Sequence, residues 1–274
     1  MKRSSFSTPL RPALGLLRLV VALAFLLPLL WMLAASLYPP GVPLPATLRL
    51  LPQEPTLRNF ARAHELLPLG RYSANSLLVV TLAVPLSLIT ASWAGLGMAL
   101  LPRPRQRRWV IISLAVLMVP GVALWSTRFL IYRFLGWYGT VWALIAPAWM
   151  GSSPFFVLMF YRAFRRIPAA VYEAAILDGA GVLQLWARVA MPLARATTLA
   201  VALLTFALYW GDFISPLLYL NDDRSFTLPV ALKLAEQMTR ADWSLLMAVA
   251  VWAALPPVAF FLLLQPYFAR RQPR

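Results

Sequence analysis

Three carboxylates stand apart from the rest of the chain: Glu173 and Asp178 in a polar insert, and Asp212 inside a long apolar run. An unpaired carboxylate in hydrocarbon is costly, so Asp212, within Trp210-Gly211-Asp212-Phe213, is a candidate for solute or ion chemistry. Its position equally suits a residue reaching outer water or capping a kink at Gly211, and the residues leave both open. Glu173 and Asp178 are free to meet basic groups of another chain. None of the three has the company an enzyme needs. There is no G-x-x-x-x-G-K-[ST] loop to cradle phosphate and no Ser/His/Asp or paired-carboxylate arrangement. A single His64 and the absence of cysteine leave nothing for a metal cluster or thiol chemistry. The chain reads as a non-enzyme with no cofactor and no metal.

The insert carrying Glu173 runs from Ile167 to Pro192 between two apolar blocks, which places it in water at one membrane face. Pro168 suits a first helical position, and Gly179 and Gly181 suit a stop, so a helix is predicted over Ala169 to Asp178. A second short helix is predicted over Val182 to Ala190, before Pro192 opens the next span. Val171, Ala174 and Ala175 would present a face small enough to enter a groove, and Gly179 would allow a sharp turn. The same pattern also suits an amphipathic helix lying on the bilayer.

With 61% hydrophobic and 12% charged residues, the chain is far more apolar than soluble proteins, in which roughly 25% of residues are charged. Its net charge of +16 does not form a helical stripe or an aromatic-interleaved patch, so nucleic acid is not an expected partner. The basic residues sit at the ends of apolar blocks instead. Six blocks are long enough to cross a bilayer as helices: Leu14 to Leu37, Ser73 to Leu101, Trp109 to Leu130, Thr140 to Tyr161, Leu193 to Leu220 and Ser244 to Phe261. The first lacks a small-residue cleavage site and reads as a permanent span. The expected fold is therefore an all-α, polytopic membrane protein with six transmembrane helices and a cytoplasmic loop at 165–192, forming one domain over 1–274.

Sixteen of the 25 Lys and Arg residues fall on one set of alternating connections and nine on the other. The first set includes Lys2, Arg3, Arg270, Arg271, Arg274 and the arginines flanking Glu173. The second includes Arg49, Arg128, Arg133 and Arg240. By the positive-inside bias both termini and the Glu173 loop face the cytoplasm. Glu54, Glu65, Asp222, Asp223, Glu236 and Asp242 all lie on the opposite side.

The first outer loop, Tyr38 to Tyr72, is proline-rich, with Pro43 and Pro45 among its prolines, and holds a short helix predicted over Leu57 to Leu66. Pro102 to Arg108 is predicted as a tight basic turn whose arginines anchor at headgroups. Ser92, Gly95 and Gly97 allow close helix approach, toward a partner subunit or toward lipid. Trp137, Trp142, Trp149, Tyr209, Trp210 and other aromatics suit interfacial belts, and some suit stacking on sugar rings; sequence does not separate the two.

Glu173-Ala174-Ala175, three residues, Gly179, nine residues, then Val189-Ala190-Met191-Pro192 resembles the EAA motif, E-A-A-x3-G-x9-I-x-L-P, of binding-protein-dependent ABC importer permeases. Val and Met stand for Ile and Leu as volume-conserving changes. Other segments resemble the carbohydrate-uptake, MalG-like branch of that family. They are Asn75-Ser76-Leu77, Arg162-Ala163-Phe164 to Ile167-Pro168, Trp210 to Leu217 in place of W-N-D-F-x-x-P-L, Phe226-Thr227-Leu228-Pro229, and Gln265-Pro266-Tyr267-Phe268. Gly211 departs from the usual Asn.

The resemblance implies a permease of the cell inner membrane that forms, with a homologous second permease, the path for a sugar. An extracytoplasmic sugar-binding protein would deliver the solute, and a separate ATP-binding cassette ATPase dimer would drive transport. It implies ATPase coupling by Glu173, Ala174, Ala175, Asp178, Gly179 and Pro192, and makes Tyr209, Trp210 and Asp212 candidates for the translocation path. A non-sugar solute such as glycerol 3-phosphate in the same architecture, or an ion-coupled secondary carrier, are the alternative readings.

Overall fold

The computed structural model describes residues 10–42, 52–238 and 242–269. Pro43, Pro45, Lys2, Arg3, Arg49, Arg240, Arg270, Arg271 and Arg274, named above, lie outside the described residues. The described chain is helical, with no strand. Its α-helices are α1 Leu10–Ser36, α2 Arg58–Leu66, α3 Leu69–Leu100, α4 Arg103–Leu117, α5 Trp125–Phe134, α6 Val141–Ile145 and α7 Pro154–Arg165. They continue as α8 Ala169–Leu177, α9 Val182–Gln184, α10 Met191–Leu193, α11 Arg195–Trp210, α12 Ile214–Tyr219, α13 Leu228–Met238 and α14 Trp243–Ala269. By length and composition four helical stretches can cross a membrane, or six if each of two bent pairs is one span. The chain is an all-α polytopic membrane protein.

Contacts divide it into two units, Met1–Leu69 with Ala231–Leu255, and Gly70–Val230 with Pro256–Arg274. In the first unit, α1 is exposed from Gly15 to Leu30, and among its residues whose burial is described only Ala34, Ala35 and Ser36, near its end, are buried. An apolar helix with no buried face belongs in hydrocarbon. Asn59, fully buried on α2, donates to the carbonyls of Ser36 (2.8 Å) and Tyr38 (2.7 Å). Ser36 is the last residue of α1, where a carbonyl has no partner within the helix. Arg62 of α2 reaches Asp242 at 2.8 Å. Asp242 also accepts from the Ser244 hydroxyl (2.8 Å) and the Leu245 amide (3.1 Å), capping α14.

In the second unit α3 and α7 meet where Gly95 has no side chain. A Cβ there would lie 2.7 Å from the Phe160 Cβ and 2.8 Å from the Tyr161 amide nitrogen. Gly97 faces open space, so of these two glycines it is Gly95 that serves close packing, and within the chain itself. Asn75 donates to the carbonyls of Arg224 and Phe226, both at 2.9 Å, and the Ser76 hydroxyl accepts from the Leu228 amide at 2.8 Å.

Several segments differ from their expected form. Arg103 to Arg108 open α4, with Pro102 as N-cap, and do not form a turn; the connection shrinks to Leu101 and Pro102. Arginine is a good helix former and Pro suits the first turn. The stretch expected as a span over Trp109 to Leu130 bends by 86° at Met118 to Pro120, where proline withholds an amide from the ladder. Thr140 to Tyr161 is α6, a 3-10 turn over Ala146–Met150, and then α7. Gly151 (φ 72°) and Ser152 (φ 60°) turn the chain left-handed between them. Leu193 to Leu220 divides into α11 and α12 at Gly211 to Phe213.

Candidate functional site

The Glu173 loop is two helices joined by a double cap. Pro168 is the N-cap of α8 (φ −57°, ψ 139°), one position ahead of the expected first helical residue. Asp178 lies past the end of α8 as its C-cap. Gly179, at φ +81°, supplies the left-handed residue that follows. Its amide donates to the Ile176 carbonyl and the Ala180 amide to the Ala175 carbonyl, both at 2.9 Å. That pair of bonds is a Schellman motif, and it satisfies two carbonyls at the helix end. Two residues on, the Gly181 amide donates to the Gln184 side chain at 3.1 Å and opens the next helix.

That second helix runs past Ala190. A π-helical segment, Leu185–Ala190, continues it into α10, so Pro192 sits inside the helical run and the 87° corner falls at Ala194. Pro192 cannot donate to the ladder, and irregular turns ahead of a proline are the usual consequence.

Anchoring is from below. Tyr172 is buried among Phe160, Phe164, Leu185, Ala190 and Val201, and Ala175 packs against the same cluster. The Tyr172 hydroxyl donates to the Phe164 carbonyl at 3.1 Å. Burial pushes its pKa up to about 12, so it stays a neutral donor. Trp186 donates to the Ser92 hydroxyl at 3.0 Å and packs on Trp93, fixing the second helix to α3. What remains outside is Glu173, Ala174, Asp178 and Gly179, together with an apolar tip of Ile176, Leu177, Val182 and Leu183. Leu177 is 87% exposed.

The face expected from the sequence, Val171, Ala174 and Ala175, is therefore divided: Ala175 turns inward and Ala174 outward. The four tip residues were not singled out. Their signal was two apolar pairs flanking Asp178-Gly179-Ala180-Gly181, one on each side of the Schellman turn.

Asp212 lies in the break between α11 and α12. One of its oxygens accepts from the Ser215 amide at 3.0 Å, capping α12. It borders a cavity of about 370 Å³ with Tyr209, Ser152, Arg128, Tyr132 and Tyr219. Ser152 is held between the hydroxyls of Ser87 and Tyr209, the latter at 3.0 Å. Trp210 goes elsewhere: it stacks on Phe206, which stacks on Phe260. Of the three path candidates, Tyr209 and Asp212 share the cavity and Trp210 does not line it.

A polytopic helical chain that holds a short capped helix clear of its spans, with a small polar cavity at a broken helix, is a membrane transport subunit of the permease class. The chain belongs to the family described as binding-protein-dependent transport system inner membrane component, which it matches over residues 83–273. It is 28% identical over 257 residues to the trehalose/maltose transport system permease protein MalG of Thermococcus litoralis, covering 91% of this chain and 90% of that protein. It is 32% identical over 219 residues to the inner membrane ABC transporter permease protein YcjP of Escherichia coli, covering 78% and 77%. Its fold matches a chain in the structure of a bacterial ABC transporter involved in the import of the acidic polysaccharide alginate. That match has a TM-score of 0.75 at 21% identity and covers 97% of this chain and 100% of the other.

Proposed function

We propose that this chain is the permease subunit of an ATP-binding-cassette importer that carries a mono-, di- or oligosaccharide across the cell inner membrane, with both termini in the cytoplasm. A homologous permease completes the path, an extracytoplasmic binding protein delivers the sugar, and an ATPase dimer docks on the Glu173 loop. The observation that carries this reading is the exposed apolar residues Ile176 and Leu177 at the end of α8 and Val182 and Leu183 on α9, with the other side of α8 locked by Tyr172. An exposed apolar helix tip of this kind suits a partner's groove. The saccharide assignment draws its support from the trehalose/maltose and alginate systems to which the chain is similar.

In this mechanism Glu173 and Asp178 meet basic groups on the ATPase, and Ala174 permits close approach. Ala175, Gly179 and Pro192 set the shape of the loop. When the ATPases close on ATP, α8 moves as one body, because Tyr172 and Trp186 tie the loop to α7 and α3. The displacement passes into the helices instead of dissipating in the loop. Tyr209 and Asp212 border the path, and Trp210 packs behind them.

The test is to tag the chain, extract it in mild detergent and identify its companions by mass spectrometry. The recovered complex is then placed in vesicles with its binding protein outside and ATP inside, and offered labelled maltose, trehalose and an alginate oligosaccharide. Recovery of a second permease and an ATPase, with ATP-dependent uptake of at least one of these sugars, is expected. Recovery of the chain alone, or uptake of none of the sugars, overturns the reading.

A further inference from the structure

The polar cavity at Asp212 has a neighbour. A second cavity of about 650 Å³ is lined by Trp137, Trp142, Trp149, Ile131 and Met150. It shares Arg128, Tyr132 and Pro147 with the first, and all of these residues belong to the unit Gly70–Val230. Both volumes fall in the range of ligand sites, roughly 300–1,000 Å³. The two differ in chemistry: the larger is walled by indoles, the smaller by hydroxyls, a guanidinium and a carboxylate.

We propose that these adjoining cavities form a two-part saccharide-binding groove belonging to this chain itself, one part for ring stacking and one for hydroxyl recognition. The inference rests on the importer reading above and adds the site. A pyranose ring has an apolar C–H face and a rim of hydroxyls. Indole faces take the first, and a mixed set of donors and acceptors takes the second. Here Trp142 and Trp149 are 48% and 57% exposed and line the same cavity. A lipid belt does not require aromatics to gather around one hollow.

In the polar part, Asp212 spends one oxygen on the Ser215 amide, and its other oxygen has no protein partner among the described residues. Arg128 makes no ion pair among the described residues. The two supply an acceptor and a donor that neutral hydroxyls can bridge. Ser152 strengthens the case. It is the non-glycine residue with positive φ among the described residues, at 60°, and its hydroxyl is clamped by Ser87 and Tyr209 at the cavity wall. A strained, doubly held hydroxyl beside a cavity is a preorganised hydrogen-bonding group.

The test uses the assembled transporter in vesicles, with Trp142→Ala, Arg128→Gln and Trp142→Phe, and the same three labelled sugars. Each variant is first checked for recovery of the second permease and the ATPase. A tenfold or larger loss of uptake in Trp142→Ala and Arg128→Gln, with companions retained and Trp142→Phe within about threefold of the parent, is expected. Parental uptake in both loss variants overturns the groove while leaving the importer reading intact. A Trp142→Phe as inactive as Trp142→Ala assigns that residue to packing and also overturns it. Loss of the second permease from Trp142→Ala makes the indole cavity a subunit contact and overturns it equally. An unmutated transporter that takes up none of the sugars fails at the importer reading instead.

Discussion

The Tyr172 hydroxyl donates to the Phe164 carbonyl across the join between α7 and α8, at 3.1 Å and in a buried setting. Phe164 is the last buried residue of α7 and is itself fully buried. One side chain thus fixes the exposed loop to the membrane-spanning part of the chain. Tyr172→Phe keeps the ring and leaves the carbonyl with the Ile167 amide as its remaining donor, so it should cost about 0.5–1.5 kcal/mol. Tyr172→Ala adds a cavity and should cost about 3–5 kcal/mol. Thermal melts of the detergent-solubilised complex give both values, and equal melting of the two variants would remove the anchoring role. Because burial raises the tyrosine pKa to about 12, the contribution is complete below pH 10, the group's ordinary value, and is lost as pH rises toward 12.

Gly179 separates conformation from contact. Nothing lies within 4 Å of a Cβ built there, yet φ is +81°, so a side chain costs backbone strain alone, about 1 kcal/mol. Gly179→Asn, which tolerates this region, should melt closer to the parent than Gly179→Ala. Gly179→Leu and Glu173→Lys should insert normally and abolish uptake. Full uptake by either variant would dissociate the loop from coupling.

Gly95 and Gly97 lie on the same helix and should behave in opposite ways. Gly95→Ala forces its Cβ into Phe160 and the Tyr161 backbone, at a cost of about 1–3 kcal/mol. Gly97→Ala meets nothing and should be neutral or stabilising by up to about 1 kcal/mol. A matched pair of melting curves decides, and similar shifts for both would remove the close-packing argument.

The sequence reading and the structure part company for identifiable reasons. Apolar runs carried a strong signal because hydrocarbon demands them, and the Gly179 turn because few residues suit a left-handed cap, whereas the breaks inside three of the expected spans did not show. What could not be read was pairing. Whether Ala175 faced in or out depended on Tyr172 finding Phe164, and Trp137, Trp142 and Trp149 come to line one cavity from a connection, α6 and a 3-10 turn, where one continuous span was expected from Thr140 on. Asp212 was left between solute or ion chemistry, outer water and a cap at the Gly211 kink; one of its oxygens accepts from the Ser215 amide just past that kink, and the residue also lines the cavity.

Asp242 gives the loops outside the membrane an acid-sensitive tie. Burial alone would raise its pKa. Hydrogen bonds from Ser244, Arg62 and the Leu245 amide outweigh that and hold it below its ordinary 3.8. The stabilisation is therefore present above pH 3.8 and disappears as pH falls through the lowered value. Arg62→Ala should lower stability by about 1–2 kcal/mol at neutral pH and flatten the acid limb of a melting-versus-pH series. An acid limb identical to the parent's would place the sensitivity elsewhere.

Asn75 and Ser76 together satisfy the carbonyls of Arg224 and Phe226 and the amide of Leu228, groups about 150 residues away in the chain. In evolutionary terms the dependence runs one way. The loop offers only backbone atoms, which any residue at 224 and 226 and any residue but proline at 228 supplies, so its side chains are free to drift while Asn75 and Ser76 are not. A chimera that joins the start of α3 from one permease to the 224–228 loop of another keeps the tie wherever the α3 donor carries both polar side chains.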